Sequence, residues 1–248
     1  RIQPMADHWD EDALDHYREM IKGMVQRALT PLVTLHHFTD PLWLMEMGGW
    51  ENDATPELFG RFTARVVEAL KEFVTTWITI NEPNCYFFFG YVEGTFPPGK
   101  KDMNAAFKVL GNLVKGHALA YKIIHEIQRE AQVGYAVNYR SFKAAKSWFP
   151  LDRAQAALRH AMWNTNFANA LVNGKLKLLG KVERIPAAVK TQDYVGLNYY
   201  TRDLVEFNLL KARNFFAHSY YPPEAELSTT GFLANVPEGM FEGLKWAR

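Results

Sequence analysis

Thr76-Trp77-Ile78-Thr79-Ile80-Asn81-Glu82-Pro83 reads as a buried strand that ends in an amide, a carboxylate and a proline. The apolar and β-branched run from Trp77 to Ile80 suits a sheet interior. Pro83 has no amide proton for a ladder, so the strand stops before it. Asn81 and Glu82 then stand at the C-terminal edge of the sheet. In barrels of alternating strands and helices, that rim carries the chemistry. A carboxyl group there, backed by apolar residues, can have its proton affinity raised enough to serve as a general acid.

Outward from this strand, the chain alternates. A helix is predicted over residues 10–29, with Leu14, Tyr17, Ile21, Met24, Val25 and Leu29 near helical spacing and acidic residues in its first turn. Leu32 to Phe38 forms a short apolar strand, and Ile2-Gln3-Pro4 reads as a strand end or the loop after one. A helix over about 54–73 precedes the 76–81 strand, and a long helix over about 103–130 follows it. Residues 132–138 make a third strand, 151–172 a helix, 194–200 a fourth strand, and 237–247 a last helix, with Pro237 placed at its start. Apolar strands alternating with helices predict an α/β fold: a parallel sheet covered by helices, in one domain spanning residues 1–248. The segments after the strands, about 85–102, 139–150 and 201–236, read as long loops. Loops of that size in compact domains are usually functional.

The totals narrow the classes. Among 248 residues, 48% are hydrophobic and 22% charged, enough for a real core. A net charge of +1 gives no electrostatic footprint for nucleic acid or an anionic membrane. Cys85 is the single cysteine, which excludes internal disulfides and cysteine-cluster metal sites, and it reads as a buried inert thiol. A reducing, cytoplasmic location is expected. No run approaches the roughly 18 apolar residues of a membrane span. The histidines show no metal-binding spacing, no Gly-rich phosphate loop follows a strand, and Gly-x-Ser-x-Gly is absent. Neither a metal nor a cofactor is expected.

Polar clusters fall at the ends of three different strands: His36-His37, Asn81-Glu82, and Asn198 with Tyr200. Any one of them is explained as well by a strand-end group bonded to nearby backbone. Three at the same structural level favour a shared site.

These residues resemble family 1 glycoside hydrolases, the β-glucosidase and β-galactosidase group. The resemblance is carried by Thr34-Leu35-His36-His37-Phe38-Thr39 with Pro41 and Trp43, by Thr79-Ile80-Asn81-Glu82-Pro83, and by Gly196-Leu197-Asn198-Tyr199-Tyr200-Thr201. Gly48-Gly49-Trp50-Glu51-Asn52 and Pro97-Pro98-Gly99 add to it. It implies a (β/α)8 barrel and a retaining β-glycosidase acting on a small-molecule β-glycoside. In that scheme Glu82 is the acid/base, which protonates the leaving oxygen and then activates water. Asn81 bonds the sugar 2-hydroxyl, His37 binds glycone hydroxyls, Tyr200 bonds the nucleophilic carboxylate, and Asn198 shapes the same pocket. For His36 the resemblance leaves a sugar contact and simple packing both open.

Retaining hydrolysis also needs a second carboxylate, about 5–5.5 Å from the first. The family carries it in a Thr-Glu-Asn-Gly motif on the seventh strand, which this sequence lacks. Asp40, Glu93 and Glu206 do not match its position. The resemblance covers barrel strands three to six and a stub of the second, so the 248 residues read as part of a barrel. The chain begins with Arg1 and looks cut from something longer. Its isolated form is expected to be inactive, with the remaining strands supplied by the rest of the polypeptide, by a second chain, or by a homodimer of half-barrels. The alternative reading is a non-catalytic fragment that binds a sugar or a partner.

Overall fold

The computed structural model describes residues 2–248, which form two compact units. The first comprises residues 2–136 and 169–196, the second 137–168 and 197–248.

In the first unit, helix α1 (Glu11–Gln26) starts where the Asp10 carboxylate accepts the Ala13 amide proton, and Glu11 and Asp12 complement the exposed amides of its first turn. Leu14 and Ile21 are buried, whereas Tyr17, Val25 and Leu29 remain exposed, so only part of the apolar stripe is used. Strand β1 (Leu32–His36) and the short helix α2 (Leu42–Glu46) follow. Helix α3 (Thr55–Leu70) buries Phe59, Val66, Val67 and Leu70. Strand β2 (Thr76–Asn81) is buried from Trp77 onward, and it ends before Pro83, which opens the short helix α4 (Pro83–Phe87). A π-helical turn, Phe88–Val92, continues it. Helix α5 (Met103–Ile127) is capped by Asp102, whose carboxylate accepts the Asn104 and Ala105 amide protons.

β1, β2 and strand β3 (Gln132–Ala144) pair in parallel, with Val33 beside Trp77 and Trp77 beside Val133. Gly134 permits a close approach to the start of strand β6 (Tyr194–Phe207): a Cβ there would sit 2.4 Å from the Tyr194 carbonyl oxygen. One core cluster joins Ile21, Val66, Val67, Leu70, Val74, Trp77, Ile124 and Val133.

His117, wholly buried on α5, ties this core together. Its Nδ1 lies 2.6 Å from the Thr79 hydroxyl, and its Nε2–H donates to the Thr191 carbonyl at 2.7 Å. Burial lowers its pKa from 6.5 to about 4, against a smaller upward pull from the Thr191 carbonyl. Between those values the unfolded chain binds a proton that the folded chain refuses. The stability is therefore complete above about pH 6.5 and falls as the pH drops toward 4, by about 3 kcal/mol in all. Urea midpoints at pH 7 and pH 4.5 are expected to differ accordingly, with most of the difference lost in His117→Gln. An equal pH dependence in both proteins would contradict the neutral, buried imidazole.

In the second unit, β3 continues to Ala144, six residues beyond its predicted end, beside β6, which continues to Phe207. The Ala145 amide donates to the Val205 carbonyl at 2.9 Å. Strand β7 (Ala217–Tyr220) pairs antiparallel with β6. Segments 139–144 and 201–207, read from the sequence as loop, are thus sheet. Helix α6 (Pro150–His160) passes through a π-helical turn, Ala161–Thr165, into helix α7 (Asn166–Asn173), of which residues 169–173 count with the first unit. Helix α8 (Glu238–Ala247) is held by Glu242, which accepts from Ser141 Oγ at 2.6 Å and pairs with Lys143 and Arg202 at 2.8 and 3.0 Å.

Two further strands in the first unit, β4 (Lys175–Leu178) and β5 (Lys181–Arg184), form an antiparallel hairpin through Leu179 and Gly180, both at positive φ. The sequence reading had no strand there. Ile2-Gln3-Pro4, read as a strand end or loop, is outside any strand.

Candidate active site

β1 and β2 end side by side, His36 paired with Ile80. The pairing of β2 with β3 shifts register between Ile78 and Asn81, a local irregularity that re-aims the side chains at a strand end. Past it, the Glu82 amide donates to the Ala136 carbonyl at 2.7 Å. Glu82 itself is in the left-handed region, at φ +47° and ψ +58°. A non-glycine residue held there stores roughly 1–3 kcal/mol and persists only where its surroundings over-determine it. Pro83, with its φ preset for a first helical position, continues directly into α4.

His37, the residue after β1, is exposed, and its Nε2 is 3.2 Å from Asn81 Nδ2. Asn81 and Glu82 are buried. The fold therefore brings together His37, Asn81 and Glu82 at the ends of two neighbouring strands. Phe38, the next residue, is also left-handed, at φ +65°.

His36 turns the other way. It is buried, donates from Nε2 to Asp40 at 3.1 Å, and packs edge-on against Trp50, Phe59 and Tyr86. Asp40 is enclosed as well, its side chain 4% exposed, and also accepts from Trp50 Nε1 at 3.1 Å and from the Tyr86 hydroxyl at 2.6 Å. Burial pushes its carboxyl up, but the hydrogen bonds and charge of its neighbours outweigh that and hold it below the usual range. Burial and the adjoining Asp40 charge drive the Tyr86 phenol far above its ordinary value, so it remains a donor. Enclosed and surrounded by three donors, this carboxylate is not presented to a substrate. The sequence singled out His36, Asp40 and Trp50 separately but not their association; a Trp and a Tyr at distances of 10 and 46 residues give no periodic signal.

In the second unit, Asn198 and Tyr200 occupy successive same-face positions of β6. Tyr200 is exposed and borders a cavity of about 430 Å³, shared with Glu226, Ser228 and Asn235. Glu206, weighed above as a carboxylate, pairs with Lys146 at 2.9 Å. Among the described residues, no group of three or more His, Cys, Asp or Glu is placed to hold a metal ion. None of the described helices is long and apolar enough to cross a membrane.

Parallel strands followed by helices, with polar side chains gathered at the strands' C-terminal ends, define an α/β-barrel type of protein in partial form. The family model for glycosyl hydrolase family 1 matches residues 1–219, and the chain belongs to that family. It is 30% identical to beta-glucosidase A of Thermotoga maritima, over 80% of this chain and 47% of that protein. It is 29% identical to a 1,4-beta-D-glucan glucohydrolase of Thermotoga neapolitana, over 95% of this chain and 57% of that protein. Among solved structures, a beta-glycosidase from Pyrococcus horikoshii superposes with a TM-score of 0.91 at 34% identity, covering all of this chain and 56% of the other. The Thermotoga maritima beta-glucosidase in complex with castanospermine gives 0.87 at 26% identity, over 96% of this chain and 55% of that one. The chain thus spans about half the length of the relatives it matches.

Proposed function

We propose that this chain supplies the acid/base part of a retaining β-glycosidase that hydrolyses terminal β-linked sugars. The observation that carries the reading is the corner itself: Glu82, buried and left-handed, with Asn81 beside it in the chain and His37 within hydrogen-bonding distance of Asn81. In this reading Glu82 protonates the departing glycosidic oxygen and then takes a proton from the attacking water. Asn81 bonds the sugar 2-hydroxyl, and His37, at the open side, takes other glycone hydroxyls. In this reading Tyr200 hydrogen-bonds the nucleophilic carboxylate, and Asn198 helps shape the sugar pocket. The relatives named beta-glucosidase, and the solved beta-glucosidase complex with castanospermine, support a small β-glycoside as the ligand.

No Thr-Glu-Asn-Gly segment occurs in these 248 residues. We therefore propose that residues 1–248 form one partial barrel domain and that the nucleophile comes from outside them. The rest of the same polypeptide is the favoured source; a second chain or a second copy is the other. The single cysteine supports a reducing, cytoplasmic setting.

The test is hydrolysis of an aryl β-glucoside, followed by the anomeric configuration of the released sugar. The full-length polypeptide is expected to turn over with retention, and residues 1–248 alone to stay at the solvent background. Inversion would refute the retaining mechanism. Turnover by residues 1–248 alone would refute an external nucleophile. Absence of turnover in the full-length polypeptide, with inhibitor binding kept, would favour a non-catalytic sugar-binding protein.

A further inference from the structure

We infer that Asp40 is the positioning residue of the acid/base corner, a role that rests on the reading of Glu82 given above. Both functional segments bend at a left-handed, non-glycine residue: Phe38 just after His37, and Glu82 itself. Such conformations relax unless something fixes the chain on either side of them. Asp40 makes the connection. Its Oδ1 accepts from His36, the neighbour of His37, and its Oδ2 accepts from the hydroxyl of Tyr86. Tyr86 in turn donates its backbone amide to the Glu82 carbonyl at 3.1 Å. One enclosed carboxylate therefore spans the sugar-binding side of the corner and the proton-donating side. Trp50 Nε1, also on Oδ1, fixes the carboxylate plane from a third segment.

The tie is sensitive to its chemistry. Asp40 meets three donors, and only an ionised carboxylate accepts from all of them without presenting a proton of its own. An asparagine in its place turns an NH2 group toward a hydroxyl or an imidazole N–H. His36 Nδ1 is buried without a hydrogen-bond partner, so the ring has no second polar contact to keep it in place once Asp40 is lost. The Tyr86 ring then shifts relative to β1, and the Glu82 carboxyl moves with the first turn of α4. A displacement of about 1 Å at a reacting group costs on the order of a hundredfold in rate.

Asp40 acts through other residues, so the experiment must separate misplacement of the proton donor from loss of fold. In the full-length protein, kcat and KM are measured for phenyl β-glucoside, whose leaving group needs a proton, and for 2,4-dinitrophenyl β-glucoside, whose leaving group does not. Asp40→Asn is expected to lower kcat on the phenyl substrate by about ten- to a hundredfold. Its kcat/KM on the dinitrophenyl substrate, which reports cleavage that needs no proton, and its KM on the phenyl substrate are expected to stay within about threefold of the parent, while kcat on the dinitrophenyl substrate falls with the slowed attack of water. Tyr86→Phe, which deletes only the hydroxyl, should give the same split on a smaller scale. Asp40→Asn should add nothing on the phenyl substrate once Glu82→Gln is present. A loss of kcat/KM equal on both substrates, or additive with Glu82→Gln on the phenyl substrate, overturns the role. If Asp40→Asn does not fold, Tyr86→Phe decides by the same comparison, and an unchanged substrate ratio counts against the proposal. If Glu82→Gln leaves phenyl glucoside hydrolysis intact, the acid/base reading fails first and the positioning role falls with it.

Discussion

Replacing Glu82 by glutamine is expected to lower kcat for phenyl β-glucoside by about 10²–10⁴-fold, the usual contribution of a positioned general acid. The substitution keeps the side chain's length and its hydrogen-bonding capacity, so the buried corner can keep its shape. What it removes is the transferable proton. The departing phenolate then leaves unprotonated, and the water that follows lacks its base. With an activated leaving group the first of these losses disappears and the second remains. The deficit should therefore shrink on 2,4-dinitrophenyl β-glucoside, with a glycosyl intermediate accumulating as a burst. Steady-state and pre-steady-state rates of the full-length protein on the two substrates check this. An unchanged rate on the phenyl substrate would remove Glu82 from its role.

The second large effect concerns the strand that presents this carboxyl. Trp77 is wholly buried in the core cluster of the first unit, beside Val33 on β1 and Val133 on β3. Its indole N–H donates to Gln128 Oε1 at 3.1 Å, and its backbone carbonyl accepts from the Tyr194 hydroxyl at 2.8 Å. Trp77→Ala leaves a void between three strands and the helices over them, and it strands the Gln128 amide without a donor. The expected cost is about 3–5 kcal/mol, seen as a lowered urea midpoint with little change in slope. A loss below about 1 kcal/mol would mean that the cluster collapses around the void. Phe at this position should recover most of the packing and none of the hydrogen bond.

Much of this architecture is written in local patterns. The Trp77–Asn81 run, its proline stop and the helices on either side appear where apolar spacing and capping residues place them, because burial on both faces of β2 leaves one answer for those side chains. The strand-end residues His37, Asn81 and Glu82 were legible for the same reason: the strand fixes where they stand. The far ends of β3 and β6 were less so. Arg140, Lys143, Arg202 and Asp203 read as loop, yet they belong to strands whose charges are paired, Arg140 with Asp203 at 3.0 Å and Arg202 with Glu242. Tertiary pairing there overrides a polar composition. The β4–β5 hairpin did carry a signal, the period-two Lys175-Leu176-Lys177-Leu178 before Leu179-Gly180, with both leucines buried. The association of Asp40 with Trp50 and Tyr86 carried none, because they meet only in three dimensions.

That distance in sequence has a bearing on how the molecule is made. Tyr86 follows Asp40 by 46 residues, so the carboxylate is translated well before its last partner exists. During synthesis it stays hydrated outside any core, and the loop that joins it to Tyr86 must close before burial brings a return. Strands β1 and β2 close a loop of nearly the same size, since Leu32 pairs with Thr76, so the corner around Glu82 closes with that pairing and needs no separate long-range search.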